Sequence, residues 1–394
     1  MYGKGFPGLS TGRAGPNNNK FFIKEMKAMQ FSLVREALLK PLQQVIGVVE
    51  RRNTMPVLGN VLLEVQPDRL TLTASDMEVE LKARSALLLA EPGEITVPAR
   101  KLLDIVRALP DGVEVQCKLV GDRLQVKAGR SRFTLTTLPA ADFPSVDALE
   151  VQFRVSLAQA QLKQLFEQTM FAMAVQDVRY YLNGLLLEAR AGGIRAVATD
   201  GHRMSVVDSA DGLTGPAERQ VILPRKGVGE LHRLLEAVDA PVELEMGRNL
   251  VRAVLGDTVF TSKVIDGRYP DYEAVVPIGA DQLVVLEREA FRSALQRAAI
   301  LANEKYRGVK LEVSPGTLRV VAHNPEQEEA TEEITAETGV GPLSVGFNVN
   351  YVLDATGAVG GEKLVLCLRD GNSSGLIKSF GSERARHVVM PLRL

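Results

Sequence analysis

A two-strand hairpin pattern occurs three times in this chain at a constant interval. The copies begin at Asn60, Asn183 and Arg307, and each has two β-type runs around a turn, followed by an acidic or amide corner residue. Two equal intervals of 124 residues separate the corner residues, which are Asp76, Asp200 and Asn324. Because self-similarity at a fixed spacing marks a repeated unit of structure, the sequence predicts three domains with the same fold.

Helical patterns stand on both sides of each hairpin. Before it, apolar residues recur at intervals of three and four, as in REALLKPLQQVIGVV from Arg35. After it, a second helical pattern follows a strand, and in two copies Pro98 and Pro224 occupy the helix start, where proline is tolerated. Alternating or β-branched runs such as VEVQCKL complete each copy. The predicted fold class is therefore α+β, with two helices and antiparallel sheets in each of three repeated domains.

Proline-containing linkers separate the copies. They contain Pro144 and Pro270. Since proline interrupts strand pairing, these positions are predicted to separate the domains. The predicted extents are a disordered extension or tag over 1–28, then domains over 29–150, 151–277 and 278–394. On periodicity alone, a duplicated scaffold without a particular shape remains an open alternative.

The charge of the chain is unevenly distributed. Residues 29–394 carry a net charge of −5. The predicted helical stretches together carry a net charge of +6, and the rest of this body carries −11. The stretches are 35–52, 98–109, 157–179, 224–238, 287–307 and 348–359. Helices that line a hole would present one positive surface to phosphates, whereas solvated cations on ordinary amphipathic helices would explain the same pattern.

Several protein classes lose support from the sequence. No stretch approaches the roughly 20 apolar residues that span a bilayer, and the first 28 residues lack a secretory signal. Two cysteines, Cys117 and Cys367, are too few for a disulfide framework, so we expect a cytoplasmic protein, although one bridge stays open. The sequence contains no P-loop motif and no zinc-binding motif. Gly3, Gly5 and Gly8 match a dinucleotide-binding pattern, but no predicted strand precedes them. We therefore expect neither a cofactor nor a metal.

Two local features allow a functional interpretation. The segment VATDGHRM places Asp200 near His202, and an aspartate beside a histidine could orient it as a catalytic base. A turn between two strands is the favoured interpretation of this segment. The last residues, HVVMPLRL, are apolar and could line a peptide groove or pack as an edge strand.

Seven segments of the chain carry the motifs of one known family. They are QDVRYYLNG at Gln176, VATDGHRM at Val197, FTSKVIDGRYPDY at Phe260, NEKYRGVKL at Asn303, NPEQEEA at Asn324, GFNVNYVLD at Gly346 and VVMPLRL at Val388. These segments closely resemble the bacterial DNA sliding clamps, the beta subunits of the replicative DNA polymerase III holoenzyme. The resemblance runs from Met29 to Leu394 and implies a ring of two chains joined head to tail, with sheets outside and helices inside. It further implies a non-catalytic processivity factor that encircles duplex DNA without reading its sequence.

The resemblance also implies functional residues. DNA contacts are expected at Arg52, Gln176, Tyr180 and Tyr181. A peptide groove is expected at Leu182, Thr199, Gly201, His202, Arg203, Met204, Pro270, Val275, Ser374, Val388, Val389, Met390, Pro391, Leu392 and Arg393. Contacts between the two chains are expected at Lys101, Ile105, Leu135, Ile300 and Leu301.

The implied partners are duplex DNA, a second copy of the chain, the catalytic subunit of the polymerase, the clamp loader, and other polymerases and repair proteins that carry clamp-binding motifs. No membrane is implied. Ala274, Met204 and His387 depart from the commonest pattern of the family, and we expect these departures to bear on peptide preference.

Overall fold

Six helices and four antiparallel sheets form the structure, a computed structural model that describes residues 29–50, 55–146, 148–190, 192–209 and 219–393. Within those ranges the α-helices are α1 Arg35–Val45, α2 Ala99–Ala108, α3 Gln159–Glu167, α4 Arg225–Leu234, α5 Arg288–Ala298 and α6 Val349–Ala358. Each repeat contributes two of them, as predicted. None of these helices is long and apolar enough to cross a membrane.

The strands also follow the repeat. The first repeat contains β1 Gln30–Val34, β2 Asn60–Val65, β3 Arg69–Ser75, β4 Val79–Ala86, β5 Leu89–Glu91, β6 Gly93–Pro98, β7 Glu114–Val120, β8 Arg123–Ala128 and β9 Ser131–Thr136. The second contains β10 Phe153–Ala158, β11 Gly184–Arg190, β12 Gly193–Thr199, β13 Arg203–Asp208, β14 Arg219–Pro224, β15 Pro241–Met246, β16 Leu250–Leu255 and β17 Thr258–Lys263. The third contains β18 Gln282–Glu287, β19 Gly308–Ser314, β20 Thr317–His323, β21 Glu329–Thr335, β22 Leu343–Asn348, β23 Lys363–Leu368, β24 Gly375–Ser379 and β25 Ala385–Val389.

Two eight-stranded sheets cross the boundaries between repeats. One has the order β10-β15-β16-β17-β4-β3-β2-β6, and its two halves join where Phe260 lies opposite Leu81. The other has the order β14-β11-β12-β13-β25-β24-β23-β18, and Met204 lies opposite Val388 at its joint. The remaining sheets, β5-β1-β7-β8-β9 and β21-β20-β19-β22, each belong to one repeat.

The two joints follow one rule. At each joint the strand after the hairpin corner of one repeat pairs with the last strand of the next repeat: β4 pairs with β17, and β13 pairs with β25. The corresponding strand of the third repeat is β21, and the last strand of the first repeat is β9. Both are edge strands of their sheets.

The cores lie between the helices and one face of each sheet. Among the largest fully buried side chains are Phe31, Phe166, Phe260, Phe291 and Phe347. The second cross-boundary sheet is also covered on its other face, because the segment between the second and third repeats packs Tyr269 and Tyr272 over it. Both cysteines are buried and unbridged, so the open alternative of a disulfide is excluded, and burial raises the pKa of the Cys117 thiol to about 12.

The helix α3 is much shorter than the third predicted helical stretch. The sequence pattern extends from 157 to 179, but α3 ends at Glu167 and a short 3-10 turn follows. The Thr169 hydroxyl donates to the Leu165 carbonyl at 2.5 Å. A threonine side chain that occupies a backbone acceptor competes with the helical hydrogen bonds, so the chain leaves the helix there.

Part of the basic charge predicted for the helices holds the fold together. Several of these cations donate to backbone carbonyl oxygens: Arg35 to Val106, Lys163 to Leu235, Arg225 to Met173, Arg233 to Gln43 and Arg288 to Val359. Positive charge used in this way satisfies the carbonyl groups at helix and loop ends. The difference in net charge between the predicted helices and the rest of the body therefore overstates how many helix cations are available to contact a ligand.

Candidate functional site

The strand β25 lies between β13 and β24, which brings the end of the chain to the hairpin corner of the second repeat. Arg203 lies opposite Val389, and Gly375 lies on the other side of Val389. Beyond the strand, the Met390 amide donates to the His202 carbonyl at 2.9 Å. The predicted groove residues Thr199 and 201–204 are therefore adjacent to 388–393, although the two groups are far apart in sequence.

An apolar floor lies under this junction. Leu182, Met204 and Val388 are buried in one cluster with Tyr269 and Tyr272, on the face of the sheet that points away from the helices. The Tyr269 hydroxyl accepts a hydrogen bond from the Thr199 amide at 3.1 Å, which anchors the linker that carries Pro270 and Val275. Burial raises the pKa of Tyr269. The predicted groove thus has a fixed floor and a linker wall.

Side chains at the rim are accessible. His202, Pro270, Val275, Met390 and Arg393 are exposed, and Gly201, Arg203, Ser374, Pro391 and Leu392 are partly exposed. Gly201 adopts φ +89, a left-handed conformation that glycine takes without strain, and this tightens the corner. The arrangement can accept an extended chain with one or two large apolar side chains.

Two residues of the last strand do not belong to this surface. Val389 packs into the core of the third repeat, because successive side chains of a strand point to opposite faces. The prediction that its side chain lines the groove is therefore corrected. His387 is also on the inner face, fully buried, so its departure from the family pattern does not act on a bound peptide directly.

His387 instead belongs to a buried polar contact between the second and third repeats. Its Nδ1 atom lies 2.9 Å from the Ser205 hydroxyl, and that hydroxyl donates to the Gln168 carbonyl at 2.5 Å. The Nε2 atom of His387 is buried without a hydrogen-bond partner among the described residues. Burial lowers the pKa of His387 to about 4, so the ring is neutral at pH 7.

Arg203 ties the groove to the third repeat. Its guanidinium forms an ion pair with Asp354 of α6 and donates to the Phe171 carbonyl at 2.7 Å. Its Cζ atom lies 4.5 Å from the ring centroid of Tyr351. The sequence pattern alone assigns Tyr351 and Asp354 no role at the groove, because only the folded chain brings α6 beside β13.

The corner residue Asp200 is committed to structure. Its Oδ1 atom accepts from the His202 and Arg203 amides at 2.9 and 3.0 Å, and its Oδ2 atom pairs with the Arg203 Nε atom at 3.1 Å. Neither oxygen orients the imidazole of His202. The catalytic interpretation of this segment therefore loses its geometric basis, and a structured turn explains it.

The predicted DNA contacts Gln176, Tyr180 and Tyr181 share one loop, from Ala174 to Asn183. The loop is fixed at its base: the Ala174 amide donates to the Leu182 carbonyl at 3.0 Å, and the Asp177 amide donates to Asn183 Oδ1 at 2.9 Å. Gln176 has φ +54, and Tyr180 is exposed beside Tyr181, with their ring centroids 5.7 Å apart. The fourth predicted contact, Arg52, lies outside the described residues.

This loop touches the groove through Arg179. The Arg179 guanidinium pairs with Asp177 at 2.8 Å and donates to the Asp200 carbonyl at 3.2 Å. The paired guanidinium lowers the pKa of Asp177 to about 2. Leu182, which belongs to the groove floor, lies within the same loop, one residue before its end.

Three family models match consecutive parts of the chain. The N-terminal, central and C-terminal domains of the DNA polymerase III beta subunit match residues 29–147, 156–271 and 273–393. The chain belongs to the DNA polymerase III beta subunit family. Its fold is accordingly three DNA-clamp domains of helices and antiparallel sheet, as predicted, and the family function is that of a non-catalytic sliding clamp for DNA polymerase III.

Relatives of this family cover almost the whole chain. The beta sliding clamps of Pseudomonas aeruginosa and Escherichia coli K12 are 52% and 49% identical, over 93% of this chain and 100% of each relative. A crystal structure of the P. aeruginosa DnaN sliding clamp gives a TM-score of 0.91 at 52% identity, and a Caulobacter crescentus clamp gives 0.88 at 39%. Both alignments cover 93% of this chain and 100% and 99% of those chains.

Three of the residues predicted to join two chains lie at the edge strands: Ile300 and Leu301 are beside β21, and Leu135 is on β9. Ile300 is 77% exposed, which is unusual for a large aliphatic side chain, while Lys101 is exposed and Ile105 and Leu301 are half-buried. Leu135 is only 7% exposed and packs in the core of the first repeat. Its side chain therefore offers little surface to a second chain, although its backbone lies on the edge strand β9.

Proposed function

We propose that two copies of this chain close head to tail into a ring around duplex DNA, and that the groove beside β25 tethers the replicative polymerase to that ring. The observation that carries the proposal is the strand rule of the two internal joints. Among the strands that the structure describes, β21 and β9 are the two that lack the partner assigned by the rule, so pairing β21 of one copy with β9 of another completes the series.

The charges of the two edges favour this pairing. The strand β21 has the sequence EATEEIT and carries Glu329, Glu332 and Glu333. The strand β9 has the sequence SRFTLT and carries Arg132, with Arg130 just before it. Opposite charges on facing strands stabilise a pair and disfavour pairing of two identical edges. A contact between unlike edges closes after two copies if the geometry is symmetric.

Contact with DNA in this proposal is weak and independent of base sequence. Gln176, Tyr180, Tyr181 and Arg52 would meet phosphates, sugars or exposed base faces, as polar and aromatic groups do on loops. The body of the chain is mildly acidic, which opposes tight binding of a polyanion. Retention would then depend on the closed ring, and sliding would remain fast.

The groove would bind short linear segments of several partners. Its floor is apolar, and Met204 and Met390 are flexible enough to repack around different side chains. The partners we propose are the polymerase catalytic subunit, the clamp loader, and other polymerases and repair proteins with clamp-binding motifs.

We propose a cytoplasmic location, and we keep the domain boundaries at 150 and 277 as predictions.

Retention on circular and linearised plasmid after loader-assisted assembly tests the ring. We expect the chain to stay on circles and to leave linear DNA from its ends. Equal retention on both forms would mean ordinary binding and would refute the ring. Deletion of the last five residues, from Met390, tests the groove separately: we expect loss of polymerase binding with an unchanged dimeric mass by light scattering, whereas loader-assisted assembly fails too because the loader uses the same groove.

A further inference from the structure

A cavity of about 520 Å³ opens on the sheet β21-β20-β19-β22, on the face away from the helices. Its base is formed where Lys310 of β19 lies opposite Val321 of β20. Their sequence neighbours Leu311 and Val320 point to the opposite face and pack in the core of the third repeat. The cavity therefore belongs to the outer surface of the sheet.

The lining of this cavity is basic. Lys310, His323 and Arg393 contribute to it, and none of its lining residues in the described part of the chain is an acid. At its rim, the Lys305 Nζ atom lies 5.1 Å from the ring centroid of Tyr306. Lys310 has one anionic neighbour, Glu312, at 2.8 Å. His323 lies opposite Glu329 of β21, and the cationic groups of Lys305, Lys310 and Arg393 outnumber these two carboxylates around the cavity.

The cavity also has an apolar component. Val321 is nearly buried at its base, Leu392 forms one side, and the ring of Tyr306 is 57% exposed. A free phosphate would leave these surfaces in water. A peptide segment that mixes carboxylates with an apolar side chain would use both parts of the lining.

The cavity lies next to the predicted groove. Leu392 and Arg393 line the cavity and are also predicted groove residues, and the Leu392 amide donates to the Gly346 carbonyl at 2.8 Å. The same tail is fixed to the second repeat through Met390 and the His202 carbonyl. A peptide that follows this tail beyond the predicted groove would therefore meet the cavity.

We propose that this cavity binds acidic residues that flank the groove-bound segment of a partner protein, and so adds charge-based selectivity to the groove. The proposal rests on the peptide-binding function proposed above. Nucleic acid is a less suitable occupant, because the cavity lies on the face opposite the helices that would line the hole.

Fluorescence anisotropy with three labelled peptides tests the proposal. The first is the clamp-binding segment of the polymerase catalytic subunit, and the others extend it at either end by four glutamates or by four glutamines. At low salt we expect at least one glutamate-extended peptide to bind about threefold to tenfold more tightly than its glutamine counterpart. The gain should vanish in Lys310→Glu and at high salt. Lys118→Glu, an exposed lysine of β7, is the matched control and should keep the gain.

The outcomes separate the two proposals. Equal binding of glutamate and glutamine peptides, or a gain that survives in Lys310→Glu, would overturn the acidic-segment proposal while the core peptide still binds. Failure of the core peptide to bind would overturn the groove itself. A labelled single-stranded oligonucleotide that binds in a Lys310-dependent way and displaces the glutamate extension would assign the cavity to nucleic acid and refute the proposal.

Discussion

Arg203 of the second repeat forms an ion pair with Asp354 of the third repeat, directly beside the candidate groove. The same guanidinium contacts the Tyr351 ring and the Phe171 carbonyl. A residue of the groove rim is therefore also a connection between two domains. Because peptide binding and domain packing share this side chain, a change at Arg203 affects both.

Replacement of Arg203 by alanine is expected to weaken binding of the polymerase peptide by about tenfold, roughly 1.4 kcal/mol, because the rim loses its support from α6. Fluorescence anisotropy measures the affinity, and light scattering checks that the dimer persists. Arg123→Ala, which removes an exposed arginine from the first repeat, is the control. Wild-type affinity in the Arg203 variant would show that the groove does not depend on this connection.

Ile300→Asp is expected to convert the proposed dimer to monomers, because a carboxylate replaces an exposed apolar contact near β21. Ile278→Asp is the matched control, since Ile278 is 86% exposed but lies ahead of β18, the first strand of the third repeat. Multi-angle light scattering gives the mass of each variant. A dimeric Ile300 variant, or a monomeric control, would contradict the proposed interface.

Lys226→Gln is expected to lower the free energy of unfolding by about 1–3 kcal/mol. Lys226 of α4 pairs with Glu50 and with the nearly buried Asp76 of the first repeat, and its removal leaves that carboxylate without its cation. Urea unfolding measures the change. In the double variant with Asp76→Asn, the loss should be smaller than the sum of the single losses, because the two groups interact. Additive losses would indicate independent roles.

His387→Gln is expected to flatten part of the dependence of stability on pH. The folded-state pKa of His387 is about 4, below the ordinary value of 6.5, so the unfolded chain binds the extra proton first as the pH falls. Stability from this group is therefore complete above pH 6.5 and is lost progressively toward pH 4, by about 3 kcal/mol in total. Unfolding titrations at pH 7.5, 5.5 and 4.5 compare the two proteins. Parallel pH curves would contradict this assignment.

The repeat and its strands were predictable because they depend on local patterns. The hairpin corners at Asp76, Asp200 and Asn324 occupy equivalent places in the fold, and the alternation of apolar residues gave the strands around them. Helix ends were less predictable: α3 ends early through the side-chain hydrogen bond of Thr169, which no periodicity reports. The predicted basic surface was also overstated, since helix cations such as Arg225 bind carbonyl oxygens.

The number of domains, the α+β class and, through long shared segments, the family can all be predicted from the order of residues along the chain. Which side chains contact one another depends on how the folded segments pack. The pairing of β13 with β25 placed His202 beside Met390 and turned Val389 and His387 away from the groove, because strand register assigns alternate residues to opposite faces. Contacts between segments distant in sequence, such as Arg203 with Asp354, arise from packing between domains and leave no periodic signal in the chain.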